Sequence, residues 1–525
     1  MLHDRADAAF VAADELLGMS EEFDRARAML AEQRARIAAP LRIALVGRVS
    51  SGKSTLANAL LGGDRVPTGV EELTYNVNWL RHGPSRTLTV HFTDGTPPQR
   101  RDIDELEKLT VRARGTPELA ALLRRIDYLE ITDPHPYLRA FDLVDTPGLD
   151  SHFGEDSANT LRFLALDEGD VRAATLGQAA KADALVLVFA RGLASSEEEL
   201  LRDFTGADGG AGVGGAGPVT TVGALTKVEL FWPAHDDPVA EGRRVAGRLM
   251  EAAGARRLLY DLCPLASLVG AAAGSCTDED VADLTALAAL PPSDLADRVY
   301  FGAEFAAGEM PDVPVRAARR RALHGRFGGY GIVRAAGLIR AGADTRAELG
   351  AELYRVSGLA DFRALLADHF GHRAELVKLA RAVRQLRALP DLDGGSARTR
   401  ATLRGAAAAV TRLEHAEHAF AELAVLRGHY SGAVLLEPSD AADLLRITGE
   451  YGHDPHVLLD LPADAHGPDL LARARERLTH WAVLTADPTY SGATRRACQV
   501  VRRSYEVLVG RLAGPGRYGA PGPYA

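Results

Sequence analysis

Two patterns of hydrophobic positions divide this chain. Between about residues 41 and 270, short apolar runs alternate with segments of helical spacing, which predicts a mostly parallel, doubly wound α/β sheet. The predicted strands are Ile43–Val46, Arg86–Thr93, Tyr128–Thr132, Phe141–Val144, Ala184–Ala190, Thr220–Leu225 and Leu262–Ala266. On either side of this region apolar residues recur every three or four positions, as in amphipathic helices.

The flanking segments predict a helical bundle. Residues 4–38 predict one or two helices that end at Pro40 and pack on another helical region. Long helices are expected over 343–389, 397–426 and 469–512. An unbroken helix over the first range would reach about 70 Å, with Ser357-Gly358 as a possible kink.

The resulting domain prediction has four parts. They are N-terminal helices (1–40) on the bundle, an α/β domain (41–300), an elongated helical stalk (301–512) and a disordered tail (513–525).

Composition narrows the function classes. The 525 residues carry a net charge of −10, which argues against nucleic-acid binding by bulk charge, and only 6% are aromatic, which disfavours stacking on single strands. The three cysteines are too far apart in sequence to indicate a zinc site or a disulfide framework. No apolar run approaches the roughly 20 residues that span a bilayer, so we expect a chain that is not integral to a membrane.

A phosphate-binding loop follows the first predicted strand. Gly47-x-x-x-x-Gly52-Lys53-Ser54 lies between that strand and a predicted helix, the context in which its backbone N–H groups and the helix N-terminus hold phosphates. Lys53 is expected to reach the β- and γ-phosphates, and the Ser54 hydroxyl to bind Mg²⁺. The predicted nucleotide-binding residues of the loop are Gly47, Ser50, Ser51, Gly52, Lys53, Ser54 and Thr55.

A second motif, Asp145-Thr-Pro-Gly148, ends a predicted strand. Asp145 there would hold Mg²⁺ through water, and the Gly148 N–H would face the γ-phosphate. A threonine from the loop between the two motifs should complete the metal site in the triphosphate state. We favour Thr74 for this role, with Thr68 as the alternative.

A third motif, Thr226-Lys227-Val-Glu229, follows a buried strand. Proteins that bind guanine usually carry Asp where this chain has Glu229. Glu offers the same two acceptors one methylene further out, so guanine is expected with weaker discrimination. Ser267 lies where the last base-contacting loop would fall; the alternative for the motif is an ordinary strand end.

These motifs, with Leu60–Val70 after the loop, resemble those of the bacterial dynamin-like GTPases. The later segments Val356–Leu359 and Arg503–Glu506 resemble the actinobacterial branch that contains the isoniazid-inducible dynamin-like proteins. The resemblance implies a P-loop GTPase head on a helical stalk, GTP hydrolysed to GDP, a homodimer of heads when nucleotide is bound, and remodelling or bridging of membranes.

One departure concerns catalysis. Val49 stands where animal dynamins have a catalytic glutamine, and a valine cannot orient water. Arg48 is the expected substitute, as an internal finger against transition-state charge, beside Lys53 and Thr74 as catalytic residues. The alternative for Arg48 is a solvated loop charge.

Membrane contact has the weakest basis in the sequence. Five arginines over 316–326 could meet anionic lipid, although the solvated face of a junction helix is the favoured interpretation. A membrane-anchored dynamin-like paralogue is the alternative route to a membrane. The expected location is cytoplasmic, with peripheral binding at the inner face of the cell membrane as a further option. The rival function is a slowly hydrolysing, nucleotide-gated scaffold for a division or envelope complex.

Overall fold

The computed structural model describes residues 2–68, 76–110, 117–148, 181–190, 217–251, 253–391 and 396–514. The chain divides into two compact units. The helical unit spans Met1–Leu41, Gly217–Thr220 and Leu365–Ala525, and the sheet unit spans Arg42–Ala216 and Thr221–Ala364. Of the predicted tail, residues 515–525 lie outside the described residues.

The helical unit begins with two N-terminal helices, α1 (Leu2–Leu17) and α2 (Asp24–Ala38). Both were predicted, and their buried faces share an apolar core with helices from later in the same unit. The side chain of Lys378 donates to the carbonyl oxygens of Ile37 (2.6 Å) and Ala39 (2.7 Å), which satisfies the end of α2 just before Pro40.

The sheet unit is built on nine described strands in the order β4-β3-β5-β2-β6-β1-β7-β8-β9. They are β1 (Leu41–Gly47), β2 (Val77–His82), β3 (Thr87–Phe92), β4 (Gln99–Arg101), β5 (Ile126–Asp133), β6 (Phe141–Asp145), β7 (Ala184–Ala190), β8 (Thr221–Thr226) and β9 (Leu262–Pro264). The pairs β1–β7, β7–β8, β8–β9 and β2–β5 are parallel. The doubly wound α/β sheet is confirmed; β2 and β4 were not predicted.

Twelve described helices follow in the sheet unit or end at its border. They are α3 (Lys53–Leu61), α4 (Leu106–Thr110), α5 (Pro117–Arg125), α6 (Pro238–Met250), α7 (Ala253–Leu258), α8 (Ser267–Ser275), α9 (Asp278–Ala288), α10 (Pro292–Tyr300), α11 (Gly302–Ala307), α12 (Ala317–Arg340), α13 (Arg346–Val356) and α14 (Leu359–Leu366). Residues 301–364, which the sequence pattern assigned to the stalk, group with the sheet because α12 and α13 bury their apolar residues in the sheet unit's core.

The rest of the helical unit contains eight described helices. They are α15 (Ala374–Leu386), α16 (Ala397–Thr411), α17 (Leu413–Ala416), α18 (His418–Tyr430), α19 (Pro438–Ile447), α20 (Pro455–Leu459), α21 (Gly467–Ala486) and α22 (Gly492–Ala513). A second apolar core joins α18, α19, α21 and α22 around Trp481 and Tyr505. Both aromatic side chains bond the buried carboxylate of Asp443.

The unbroken helix expected over 343–389 is wrong. Gly358 adopts a left-handed conformation (φ +82°) and ends α13, and a β-carbon there would lie 2.7 Å from the carbonyl oxygen of Pro264. Further along, residues 367–371 form one π-helical turn before α15 begins. Backbone packing at Gly358 therefore breaks the helix where the sequence suggested only a kink.

Candidate functional site

The phosphate-binding loop joins β1 to α3 through two residues in the left-handed region, Ser50 (φ +57°) and Gly52 (φ +94°). The Lys53 ammonium donates back to the carbonyl oxygens of Gly47 (3.1 Å) and Arg48 (2.8 Å). A β-carbon on Gly47 would lie 2.4 Å from the carbonyl oxygen of Val188 in β7, so only glycine fits there. The loop is therefore a backbone cradle closed by one cation, an arrangement suited to phosphates.

Ser54, at the start of α3, contacts Asp145 directly after the phosphate-binding loop. The Ser54 hydroxyl donates to Oδ2 of Asp145 at 2.7 Å, and Asp145 is fully buried at the end of β6. Burial raises the pKa of Asp145, while the hydrogen bond from Ser54, the charge of Lys53 and the side chain of Asn78 oppose that shift. Among the described residues, no donor is in hydrogen-bond geometry with Oδ1 of Asp145. A hydroxyl beside a buried carboxylate fits Mg²⁺, a cation that takes few protein ligands.

The Asp-Thr-Pro-Gly motif contacts both strand β1 and the phosphate-binding loop that follows it. The Thr146 hydroxyl donates to the carbonyl oxygen of Leu45 in β1 at 2.7 Å. Gly148 lies against Val49 so closely that a β-carbon would be 2.4 Å from Val49 Cγ2 and 2.6 Å from its backbone nitrogen. The structure therefore brings the first two predicted motifs together.

Thr226 joins the base motif to the phosphate-binding loop. Its hydroxyl lies 2.5 Å from the carbonyl oxygen of Ser51 and 3.0 Å from that of Phe189. Lys227 follows in a left-handed conformation (φ +59°), and Glu229 is buried in the short helix after it. Ser267 is buried at the start of α8, directly after β9, and β9 pairs with β8. The predicted base-contacting residues thus lie at the carboxyl ends of neighbouring strands, where α/β sheets bind ligands.

The predicted switch threonine, Thr74, lies outside the described residues. The alternative, Thr68, is exposed and lines a cavity of about 660 Å³, together with Thr55 of α3. The role of Arg48 as a finger stays a prediction.

Sequence reasoning missed Asn58, which is buried in α3 one turn after Ser54. Its Oδ1 accepts from the backbone N–H groups of Arg65 (2.8 Å) and Val66 (2.9 Å), and its Nδ2 donates to the carbonyl oxygen of Val66 (2.8 Å). Asn58 therefore fixes the loop that leads toward the switch threonine. The available signal was an amide inside the otherwise apolar run Leu56–Leu61.

Comparison with known proteins decides the family. The sequence model of the dynamin family matches residues 43–202. The isoniazid-induced protein IniC of Mycobacterium tuberculosis is 30% identical over 485 residues, which cover 91% of this chain and 92% of that protein. The chain belongs to the bacterial dynamin-like GTPases. The family resemblance seen in the sequence is confirmed, and with it GTP hydrolysis as the activity.

Other relatives of this dynamin-like GTPase match mainly over part of the chain. Dynamin-like protein 2 of Campylobacter jejuni is 35% identical over 141 residues, 27% of this chain and 22% of that protein. A solved structure of an oligomerised bacterial dynamin pair, described as sensing and tethering membranes, is 13% identical. It covers 93% of this chain and 87% of its own, with a TM-score of 0.30, a value too low to support a conclusion about this chain.

The arginines of 316–326 in this dynamin-like GTPase are largely engaged within the sheet unit. Arg320 is buried and donates to the carbonyl oxygens of Phe305, Val315 and Gly308. Arg319 and Arg326 both pair with the buried carboxylate of Asp280. The solvated face that we favoured therefore fits Arg316 and Arg321, which are exposed, but not the other three arginines. Within the described residues, no helix is both long and apolar enough to cross a bilayer.

Proposed function

We propose that this chain is a Mg²⁺-dependent GTPase whose heads pair when GTP is bound and separate after hydrolysis, in a cycle that remodels or bridges membranes. The observation that carries the nucleotide part is the Ser54–Asp145 hydrogen bond beside Lys53. It supports a site where a cation and phosphates are held by one loop and one strand end.

Ser54 and Asp145, completed by Thr74, would hold Mg²⁺, which when bound neutralises charge on the β- and γ-phosphate oxygens. Lys53 would leave the carbonyl oxygens of its own loop and donate to the phosphates instead. At the other end of the site, Lys227, Glu229 and Ser267 would contact guanine, with the Glu229 carboxylate as the acceptor. Gly148 would donate its backbone N–H to the γ-phosphate.

Hydrolysis in this site needs a group other than residue 49. The side chain of Val49 lies against Gly148 and, being a hydrocarbon, cannot hydrogen-bond a water, so we propose Arg48 as the group that meets transition-state charge. Such fingers contribute roughly 10³–10⁵ in rate. If two heads must pair before Arg48 can act, turnover per head depends on the concentration of protein.

The decisive experiment measures GTP turnover per head over a range of protein concentrations. Turnover per head should rise with concentration in the natural chain and fall in Arg48→Ala, while both bind nucleotide. Lys53→Ala is the control for the phosphate site and should lose nucleotide affinity. If Lys53→Ala binds as tightly as the natural chain, the proposed site is wrong.

Val49 also favours a second candidate, a nucleotide-gated scaffold that hydrolyses slowly and regulates a partner. A liposome co-sedimentation assay with and without GTP separates the two functions, because the scaffold has no reason to pellet with lipid. The same assay, repeated with a membrane-anchored dynamin-like paralogue in the vesicles, distinguishes direct membrane binding from recruitment through that partner.

A further inference from the structure

Four residues that precede β8 belong to the helical unit. Gly217–Thr220 form a turn closed by a hydrogen bond from the Thr220 N–H to the Gly217 carbonyl oxygen at 2.9 Å, and all four are buried. Val219 is 1% exposed and lies in the apolar core formed by α18, α19, α21 and α22. The turn is therefore part of the helical unit's core, although the chain on its C-terminal side is a strand of the sheet.

A cluster of buried polar side chains lies against the turn. Nε2 of His369 lies 3.2 Å from the carbonyl oxygen of Pro218, and Nδ1 lies 3.6 Å from Oε1 of Glu450. Arg373 donates to the other oxygen of Glu450 at 2.6 Å. Each of these side chains is at most 4% exposed. His369 stands in the π-helical turn, a local structure that often marks a functional position.

The turn continues directly into the strand that carries the base motif. Every residue of β8 is buried, and it pairs in parallel with β7 from Thr221 to Thr226 and with β9 on its other side. Its six residues span about 20 Å. Because a strand paired on both edges cannot bend easily, we expect a shift at Thr226 to be passed along the strand. Thr226 in turn bonds the Ser51 carbonyl oxygen of the phosphate-binding loop.

We propose that the Gly217–Thr220 turn couples nucleotide binding at the phosphate-binding loop to the packing of the helical unit, with Val219 and His369 as its positioning residues. The inference rests on the proposed function, since it takes the Thr226 site to hold a guanine nucleotide. Coupling of this kind is reciprocal: a nucleotide that tightens the turn's contacts binds more weakly when those contacts are loosened.

The test compares Val219→Ala with Val501→Ala in the full chain. Val501 is also fully buried in the same core but is not part of the turn, so both variants lose the same two methyl groups. Hydrogen exchange of peptides covering 365–375 and 440–452 is measured with and without a non-hydrolysable GTP analogue, beside the analogue's affinity. In the natural chain and in Val501→Ala the analogue should slow exchange in these peptides.

In Val219→Ala that slowing should disappear, and the affinity should fall about fivefold, the lower end of typical coupling. His369→Phe keeps a ring and removes the nitrogens, and it should show the same loss of slowing and of affinity. It replaces Val219→Ala as the test if the valine variant does not fold. The proposal is overturned if the natural chain binds the analogue without any change in these peptides, or if Val219→Ala matches Val501→Ala. Failure of the natural chain to bind the analogue at all would instead contradict the proposed function.

Discussion

Replacing Thr226 with valine removes one hydroxyl and keeps the shape of the side chain. The residue is fully buried, and its single hydroxyl proton is shared between two carbonyl oxygens, those of Ser51 at 2.5 Å and Phe189 at 3.0 Å. The substitution therefore tests whether a bond from the base motif holds the phosphate-binding loop in the shape that binds nucleotide.

The expected magnitude follows from a buried acceptor left without its donor, which costs about 1–3 kcal/mol. In the nucleotide-bound protein the loop has no alternative shape, so the full cost should appear there. In the free protein the released loop relaxes, which recovers part of that cost. Nucleotide binding must reverse this relaxation, so the recovered part appears as weaker binding. The decrease in unfolding free energy of the free chain and the decrease in binding free energy should therefore sum to about 1–3 kcal/mol.

Two measurements give that sum: denaturant unfolding of the free chain, and titration with a fluorescent GDP derivative. If half of a 2.8 kcal/mol cost falls on binding, the dissociation constant rises about tenfold. Thr285→Val is the control, because the Thr285 hydroxyl bonds only the Val281 carbonyl oxygen of its own helix among the described contacts. A Thr226→Val protein whose nucleotide-bound form is as stable as the natural one would refute the reasoning.

Three further outcomes are expected. Gly148→Ala should nearly abolish GTP turnover in a phosphate-release assay, and Val49→Gly should not rescue it, because the added carbon also meets the Val49 backbone nitrogen. Asp145→Asn should lose Mg²⁺-dependent turnover while nucleotide binding in EDTA changes little. Burial raises the pKa of Glu450, but contacts with His369 and Arg373 outweigh it and lower this pKa from 4.5 to about 2. The ionised carboxylate thus stabilises the fold above pH 4.5. As the pH falls from 4.5 to 2, the Glu450→Gln chain should therefore lose less unfolding free energy than the natural chain.

The motifs of the site could be predicted because their chemistry is local. Glycines at fixed spacing, a lysine at a helix start and an aspartate at a strand end are legible without knowing what they touch. β2 was missed because its residues, Val77-Asn-Trp-Leu-Arg-His82, give no continuous apolar run. Its place between β5 and β6 comes from pairing with strands far along the chain.

Asn58 and the Gly217–Thr220 turn show a different limit. Both positions are buried by contacts that no short-range pattern encodes: three hydrogen bonds to a loop for Asn58, and a core built from distant helices for Val219. The helix break at Gly358 is similar, since it depends on how closely the chain approaches Pro264. Periodicity locates helices, but their ends and the residues that fix loops are decided by tertiary packing.

The segment after β6 limits how this GTPase can switch. Asp145 bonds Ser54, and Thr146 bonds the Leu45 carbonyl oxygen, so both residues are held on the sheet. Gly148 is the next contact, against Val49. If Gly148 moves to donate its N–H to a γ-phosphate, as proposed, it must leave the side chain of Val49. We therefore expect the bulk of Val49, which cannot orient a water, to affect the switching step.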